Sequence, residues 1–326
     1  MRQFQRNSTH PSESPELIAK NWEVLYYRTI PFRALSRAWG WLTSRDLPLW
    51  ARQPILGLYA RTFQCNVGEA FDDKLENYSN LSEFFRRKLK HGARPIDHDN
   101  LVVSPSDGTV LHFGRVHAGM MEQVKGVNYS LSEFLGPAHW QGGPEAVPTS
   151  SKIEYEKSLL LGQNTDLFHC VIYLAPGDYH CFHSPVDWTV KFRRHFPGEL
   201  FSVNPSIAKW VAGLFSLNER AVYAGKWRHG FFSMTPVGAT NVGSIRVYSD
   251  QDLRTNCRKR ELPLPYYDHY MGSGVPLSKG EIFGEFNLGS TIVLVFEAPK
   301  DFQFKICSGD KIRMGQGLNI DTDQSQ

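Results

Sequence analysis

Beyond Asp97 the chain is a succession of short apolar runs, each bounded by glycine, proline or another turn-forming residue. The runs are rich in β-branched and aromatic side chains. This pattern is typical of the strands of a sandwich or barrel, and the runs are too short for packed helices. The predicted strands are Leu101–Val103, Gly108–Phe113, Cys170–Leu174, Trp188–Phe192, Gly230–Met234, Gly243–Val247 and Thr291–Phe296. The sequence therefore predicts an α+β chain whose β-rich body spans residues 91–326.

Two stretches, Gly136–Asn164 and Ser249–Lys279, are polar, contain glycine and proline, and lack any apolar period. Both are predicted to be surface loops. In contrast, Leu81–Leu89 places its apolar side chains at helical spacing and predicts an amphipathic helix. The polar tail after Asn319 is expected to fray.

The region 21–90 is predicted to be a helical accessory region, preceded by a flexible tail over residues 1–20. From Asn21 to Phe63, tryptophan and tyrosine alternate with arginine, and only Glu23 and Asp46 are acidic. Short helices of this composition suit the headgroup layer of a membrane, where aromatic rings and cations both find partners. The alternative is that these aromatic residues pack an accessory layer onto the catalytic body.

Composition excludes several classes of protein. At 326 residues and 41% apolar content the chain can bury a sizeable core, and a net charge of +3 is too small for a typical nucleic-acid-binding surface. No apolar run is long enough to cross a bilayer. Five cysteines without a CxxC pair indicate free thiols, with neither a disulfide framework nor a cysteine-based zinc site.

Four residues suggest nucleophilic chemistry. Ser290 follows Gly289 directly before a continuous apolar strand, Asp107 lies in the turn SPSDG, and His180 and His183 lie in GDYHCFHSP. A carboxylate, a histidine and a serine hydroxyl together can activate a poor nucleophile at neutral pH. Taken singly, each has a structural alternative: a turn residue, satisfied edge histidines, or an ordinary turn entering a strand.

Metal binding by His180, Cys181 and His183 is disfavoured, because neighbouring positions in a strand point to opposite faces. No metal is therefore predicted.

The order of several motifs resembles that of the phosphatidylserine decarboxylases, from about Asn80 to Gly317, and is nearest to the animal mitochondrial branch. The motifs are SPSDG, GDYHCFHSP, RHFPGELFSVNP, NER, VGATNVGSI, KGEIFGEFNLGST and VFEAP. The LGST tetrapeptide, residues 288–291, resembles the processing site of that family. The resemblance implies a proenzyme that cuts itself between Gly289 and Ser290 into a β chain, residues 1–289, and an α chain, residues 290–326.

The resemblance implies that His183, oriented by Asp107, removes the Ser290 proton, and that the alkoxide attacks the Gly289 carbonyl to form an ester. Elimination and hydrolysis then release ammonia and leave a pyruvoyl group at position 290. That group forms a Schiff base with phosphatidylserine and drains electrons as carbon dioxide leaves, the role that pyridoxal phosphate serves elsewhere. His180 is expected to protonate the product, which is phosphatidylethanolamine.

The resemblance also implies partners and location. They are phosphatidylserine in a membrane, an α chain held by its β chain, a homodimer, and the intermembrane-space face of the mitochondrial inner membrane. By residue type, donors to the lipid phosphate are predicted at Arg194, His195, Ser202 and Asn204. For Asn204 the alternative is a cap of a helix over Pro205–Leu217.

Two other functions remain open from the residues alone. One is a serine hydrolase using Ser290, His183 and Asp107, although the GxSxG elbow of the commonest hydrolase fold is absent. The other is a non-catalytic β module bound to membranes.

Overall fold

The computed structural model describes residues 29–124, 126–138, 151–240, 244–258, 261–287 and 290–320. Its strands are β1 (Gly108–Arg115), β2 (Met120–Val124), β3 (Val127–Ser130), β4 (Thr165–Leu174), β5 (Cys181–His183), β6 (Trp188–Phe196), β7 (Arg220–Trp227), β8 (Gly230–Gly238), β9 (Ile245–Val247), β10 (Tyr267–Leu277), β11 (Ile282–Phe286), β12 (Ser290–Pro299) and β13 (Lys311–Ile312). Its helices are α1 (Phe32–Thr43), α2 (Leu49–Thr62), α3 (Leu81–Phe85), α4 (Leu131–Leu135), α5 (Lys152–Leu159), α6 (Pro205–Trp210) and α7 (Leu214–Leu217). The predicted α+β chain with a β-rich body and a helical N-terminal region is confirmed.

An antiparallel eight-stranded sheet forms the centre of the body, in the order β10-β6-β7-β8-β12-β4-β1-β13. A small sheet, β5-β11-β9, packs on one face, and helices α4 to α7 with the β2–β3 hairpin cover the other. The large sheet thus lies between two apolar layers.

Strand β12 runs through the middle of this sheet, between β8 and β4. Ile292 and Leu294 belong to the core on one face of the sheet, whereas Val293 and Val295 belong to the core on the other. Because both faces are buried, the run Ile292–Phe296 is continuously apolar and does not alternate with polar residues.

The accessory region has a small core of its own, built on Leu56, Ala60, Tyr78 and Phe84. Helix α1 is tied to the catalytic body by Arg33, which donates to the carbonyls of Gly198 and Cys257. No helix in the described ranges has the length and apolar content that a bilayer crossing requires.

Six of the seven predicted strands are present, with shifted ends. The prediction for Leu101–Val103 is wrong, since this segment contributes only an isolated bridge between Val103 and Gly317. The helix predicted over Leu81–Leu89 is also shorter than expected and ends at Phe85.

Both predicted loops were wrong in part, because Ser249–Lys279 contains strand β10 and Gly136–Asn164 contains helix α5. Strand β10 lies at the sheet edge and is interrupted by a bulge between Tyr270 and Val275, where Gly272 and Gly274 have positive φ. The bulge breaks the two-residue period that marks a strand in sequence. The tails at 1–20 and 321–326 lie outside the described residues.

Candidate active site

Ser290 is the first residue of β12, and its backbone lies opposite Leu174 of β4 and Gly238 of β8. The chain leaves β4 directly after Leu174 and reaches His180 through the turn 175–179. The pairing register therefore places Ser290 at the end of the large sheet where β4 leads into the histidine motif. Gly289 lies outside the described residues.

The Ser290 side chain is fully buried, and its hydroxyl has no hydrogen-bond partner among the described residues. A buried hydroxyl without a partner costs about 1–3 kcal/mol, so it requires an explanation. Thr291, Ser233 and Thr235 share this property. Burial alone thus does not single out Ser290, but its position at the strand end beside the histidine motif does.

His180 is also buried, and its ring is stacked on Phe85 of α3, with ring centroids 3.9 Å apart. Its Nε2 lies 3.0 Å from the carbonyl of Ala175 and must donate, since a carbonyl oxygen only accepts. Its Nδ1 is buried without a partner in the described part of the chain. Burial lowers the pKa of His180 to about 3, with nearby Arg87 acting in the same direction. The imidazole is therefore neutral, with one unoccupied lone pair.

His183 has both ring nitrogens occupied. Its Nδ1 donates to the carbonyl of Gly280 at 2.9 Å, so Nε2 accepts from the Tyr179 hydroxyl at 3.1 Å. Burial lowers the pKa of His183, while the Gly280 carbonyl opposes this shift. A neutral imidazole with a lone pair on Nε2 has the protonation state that a general base needs.

The carboxylate of Asp107 is bound by the guanidinium group of Arg94. Its carboxylate accepts from Arg94 Nε at 2.8 Å and Nη2 at 2.5 Å, and from the backbone N–H of Met314 at 2.9 Å. The expected hydrogen bond between Asp107 and His183 is not among those formed by the described residues. Asp107 nevertheless acts on this histidine through space, where its charge raises the pKa of His183.

Backbone hydrogen bonds bring the three motifs into one corner of the body. The His183 N–H donates to Pro105, two residues before Asp107, at 2.8 Å. The Phe286 N–H, four residues before Ser290, donates to the His180 carbonyl at 2.9 Å. The segments SPSDG, GDYHCFHSP and 284–287 are thus neighbours in space.

Arg194 and His195, both predicted as phosphate ligands, have their side chains inside the protein. Arg194 is fully buried and binds Asp268 in bidentate fashion at 2.7 and 2.8 Å. The Nε2 of His195 lies 2.9 Å from a carboxylate oxygen of buried Glu219. Both side chains have structural partners in the fold.

Ser202 and Asn204 lie nearer the surface. Asn204 caps α6, as its side chain accepts from the N–H of Ser206 at 2.9 Å. This geometry agrees with the alternative interpretation, in which Asn204 is a helix cap, although α6 ends at Trp210 rather than at Leu217. The Ser202 hydroxyl accepts a long hydrogen bond of 3.4 Å from the Asn204 N–H.

Several contacts at this corner come from residues that the sequence reasoning did not select. They are Tyr179 beside His183, Arg94 on Asp107, and Arg87 and Tyr59 on the turn 175–179. The only signal for Tyr179 is its place inside the histidine motif. Arg87 and Tyr59 come from the accessory region and Arg94 from the first residues of the β-rich body, and no local pattern connects any of them to this site.

Across the ranges that the structure covers, no group of three His, Cys, Asp or Glu side chains is arranged to hold a metal ion. The segments that carry a serine, two neutral histidines and a cation-held carboxylate thus meet near one end of a buried strand, and these residue types are those that nucleophilic and proton-transfer chemistry uses.

Comparison with known proteins gives the family. The family model described as phosphatidylserine decarboxylase matches residues 81–319. The mitochondrial phosphatidylserine decarboxylase proenzyme of Cricetulus griseus is 54% identical over 310 residues, covering 94% of this chain and 76% of that protein. Proenzyme 1 of Schizosaccharomyces pombe is 43% identical, covering 91% and 82%, and that of Saccharomyces cerevisiae is 40% identical, covering 94% and 75%. The chain belongs to the phosphatidylserine decarboxylase family.

Proposed function

We propose that this chain cuts itself at Ser290 and then converts phosphatidylserine to phosphatidylethanolamine and carbon dioxide. Family membership supports the overall reaction. The observation that carries the assignment to residues is the buried hydroxyl of Ser290, which has no hydrogen-bond partner among the described residues and lies at the end of the sheet where β4 leads into the motif of His180 and His183.

The first step assigns a proton to His183. Its Nε2 lone pair accepts the Ser290 hydroxyl proton after releasing the Tyr179 hydroxyl, and the serine oxygen bonds to the carbonyl carbon of Gly289. Asp107 stabilises the resulting imidazolium through its charge, and Arg94 fixes the carboxylate in place. The amide bond between Gly289 and the Ser290 nitrogen then breaks as His183 returns the proton to that nitrogen, which leaves an ester. Loss of the Ser290 α-proton then drives elimination: the bond between Oγ and Cβ breaks, and Gly289 leaves with the oxygen as a carboxylate. The dehydroalanine that remains at position 290 takes up water and releases ammonia to give the pyruvoyl group.

The surroundings of position 290 suit a pyruvoyl group. The site is buried, and the unpartnered Nδ1 of His180 provides a polar contact for a reacting group there. A pyruvoyl group supplies a keto carbonyl that condenses with the serine amine and takes up the electron pair as carbon dioxide leaves.

We propose that His180 takes part in two proton transfers, first as a base and then as an acid. Its Nδ1 lone pair first takes a proton from the ammonium of the incoming lipid headgroup, and later returns a proton to the carbon that lost its carboxylate. The lowered pKa of His180 keeps the ring neutral before substrate binds, and it favours the second transfer, because the protonated ring readily gives its proton up to carbon. Nε2 remains bound to the Ala175 carbonyl and keeps the ring oriented.

The accessory helices are proposed to contact the membrane that holds the substrate. Trp50 is 81% exposed, and Leu49 and Leu58 are each 67% exposed. Large apolar side chains on one helix, with arginines between them, favour insertion into a headgroup layer. Arg45 lies over the ring of exposed Trp41, 4.2 Å from its centroid.

Location and assembly belong to the same proposal. Relatives named as mitochondrial support the mitochondrion. The family resemblance supports the inner membrane facing the intermembrane space, and a homodimer in which each protomer is an α chain with its β chain. The predicted lipid-phosphate ligands remain assigned by residue type, with Ser202 and Asn204 nearer the surface than Arg194 and His195.

The test is release of carbon dioxide from phosphatidylserine labelled in its carboxyl group and presented in vesicles. Wild-type protein should release labelled carbon dioxide and form phosphatidylethanolamine, while Ser290→Ala should do neither. Release of fatty acid or free serine instead would indicate a hydrolase and overturn the proposal.

A further inference from the structure

The turn between β4 and β5, residues 175–179, is held from outside the catalytic body. Three successive carbonyls accept hydrogen bonds from the accessory region. Tyr59 Oη donates to Pro176 at 3.0 Å, and Arg87 Nη2 donates to Gly177 at 2.8 Å and to Asp178 at 3.4 Å. Side-chain donors from two accessory segments thus converge on consecutive residues of one turn.

Shape and stacking add to these bonds. A Cβ added at Gly177 would lie 1.8 Å from the Phe63 carbonyl oxygen, so the end of α2 lies directly against this turn. The His180 ring that follows the turn is stacked on Phe85, with an interplanar angle of 22°. His180 also donates to Ala175, the first residue of the turn. The position of the ring therefore depends on where the accessory region holds the turn.

His183 is held differently. Its ring contacts Gly280 and Tyr179, and its N–H donates to Pro105, all within residues 91–326. Tyr179 is the one of these residues that belongs to the turn, whereas the accessory donors fall on residues 176–178 and Phe85 stacks on the His180 ring itself. The accessory contacts therefore bear on His180 more directly than on His183.

From these contacts we propose that Tyr59 and Arg87 are positioning residues for His180, so that helix α2 completes the decarboxylation site. This rests on the proposed function, in which His180 moves the proton of the decarboxylation step while His183 serves self-cleavage. Loss of either donor frees the turn, and a displacement of about 1 Å at a proton-transferring ring costs up to roughly a hundredfold in rate.

The same helix carries the exposed Trp50 and Leu58 on its outer side. One rigid element thus joins the surface proposed to meet the membrane with the turn that sets His180. Tyr59 packs against the small core around Leu56 and Phe84, and this core holds helix α2 in place within the accessory region.

Tyr59→Phe removes one hydroxyl and keeps the ring that packs on Phe63 and Phe84. We expect complete self-cleavage by intact mass, unchanged vesicle binding and KM, and a kcat lowered about tenfold. Arg87→Met should lower kcat further, whereas Arg87→Lys should restore part of it, because a lysine can reach one carbonyl but not two.

Gly177→Ala tests the close approach of α2, since the added methyl group must displace the turn from Phe63. The matched control is Gly57→Ala on the same helix, where an added Cβ meets only Leu75 at 3.6 Å. The first variant should lose activity about a hundredfold after normal cleavage. The control should match the wild type.

A spectroscopic readout separates this inference from the proposed function. In uncut Ser290→Ala protein, the ¹⁵N signals of His180 should indicate a neutral ring protonated at Nε2. Adding Tyr59→Phe should shift these signals and leave those of His183 in place. If the shift occurs but wild-type protein releases no carbon dioxide, the positioning role stands and the proposed reaction fails.

Unchanged kcat in both Tyr59→Phe and Gly177→Ala would overturn the positioning role. Equal loss of cleavage and decarboxylation, with His180 and His183 signals perturbed alike, would also overturn it, since that result indicates a general structural contribution.

Discussion

Two regions place side chains in surroundings of the opposite polarity: the corner of the body that holds the segments of Asp107, His180, His183 and Ser290, and the outer face of helix α2. At the corner, polar atoms are buried without hydrogen-bond partners in the described part of the chain, notably Ser290 Oγ and His180 Nδ1. On α2, large apolar side chains face outward, with Trp50 81% exposed. Each arrangement costs free energy in the isolated chain.

The difference between the two regions indicates what each one meets during function. Unpaired polar atoms in a dry site are suited to groups that react, because a proton or a new bond satisfies them. An exposed apolar helix face is suited to a lipid surface. The turn 175–179 touches both regions, through Tyr59 on one side and His180 on the other.

The largest effect is expected from changing the base at the corner. His183→Gln removes the lone pair on Nε2 that receives the Ser290 proton, so self-cleavage should slow by about a thousandfold or more. Electrophoresis of freshly made protein over time measures this. Rapid cleavage in His183→Gln would assign the base role to another residue.

His180→Gln should separate the two chemistries of the corner. Cleavage should proceed, because His183 retains its contacts with Gly280 and Tyr179, while carbon dioxide release falls by roughly a hundredfold to ten-thousandfold. Intact mass and the carbon dioxide assay on one preparation provide both readings. Failure to cleave would contradict this division of labour.

Changing the outer face tests the other half of the comparison. Trp50→Glu with Leu58→Glu should weaken binding to phosphatidylserine vesicles about tenfold or more, since burying each such side chain contributes roughly 1.5–3 kcal/mol. Sedimentation with vesicles measures the binding. The matched control is Leu264→Glu, an exposed leucine of the catalytic body (58%). Equal loss of vesicle binding in the double variant and in Leu264→Glu would contradict a special role of α2 in membrane contact.

The smallest effect concerns stability in acid. His169 lies outside the corner, and burial lowers its pKa to about 3. The unfolded chain takes up a proton as pH falls below about 6.5, while the folded chain does so only near its lowered pKa, so stability decreases across that window. His169→Gln should flatten this decrease by up to about 1.4 kcal/mol per pH unit between pH 6 and 4. Denaturant unfolding of Ser290→Ala protein at several pH values checks it, and an unchanged slope would contradict it.

The β-rich body was predictable because apolar runs bounded by turn residues, such as Trp188–Phe192 and Gly230–Met234, lie within the longer strands β6 and β8. Strand β10 was not predictable, since its bulge at Gly272 and Gly274 removes the period. The continuous apolar run after Ser290 indicated a buried strand, and the structure adds that both of its faces lie in cores.

Sequence motifs selected Asp107, His180, His183 and Ser290, and the fold brings their segments together. Motifs did not reveal that Arg94 holds Asp107 or that Tyr59 and Arg87 hold the turn 175–179. Such contacts join residues far apart in sequence, and a local pattern carries no information about them. The Asp268 and Glu219 partners of Arg194 and His195 were hidden for the same reason.

Intact-mass spectrometry of freshly purified wild-type protein, with Ser290→Ala as control, tests the central claim most directly. We expect two chains, residues 1–289 and residues 290–326, with the shorter one about 4 kDa and lighter by one ammonia than a chain beginning with serine. The control should be a single chain. A folded wild-type protein that remains one uncut chain, with unmodified serine at position 290, would contradict the account.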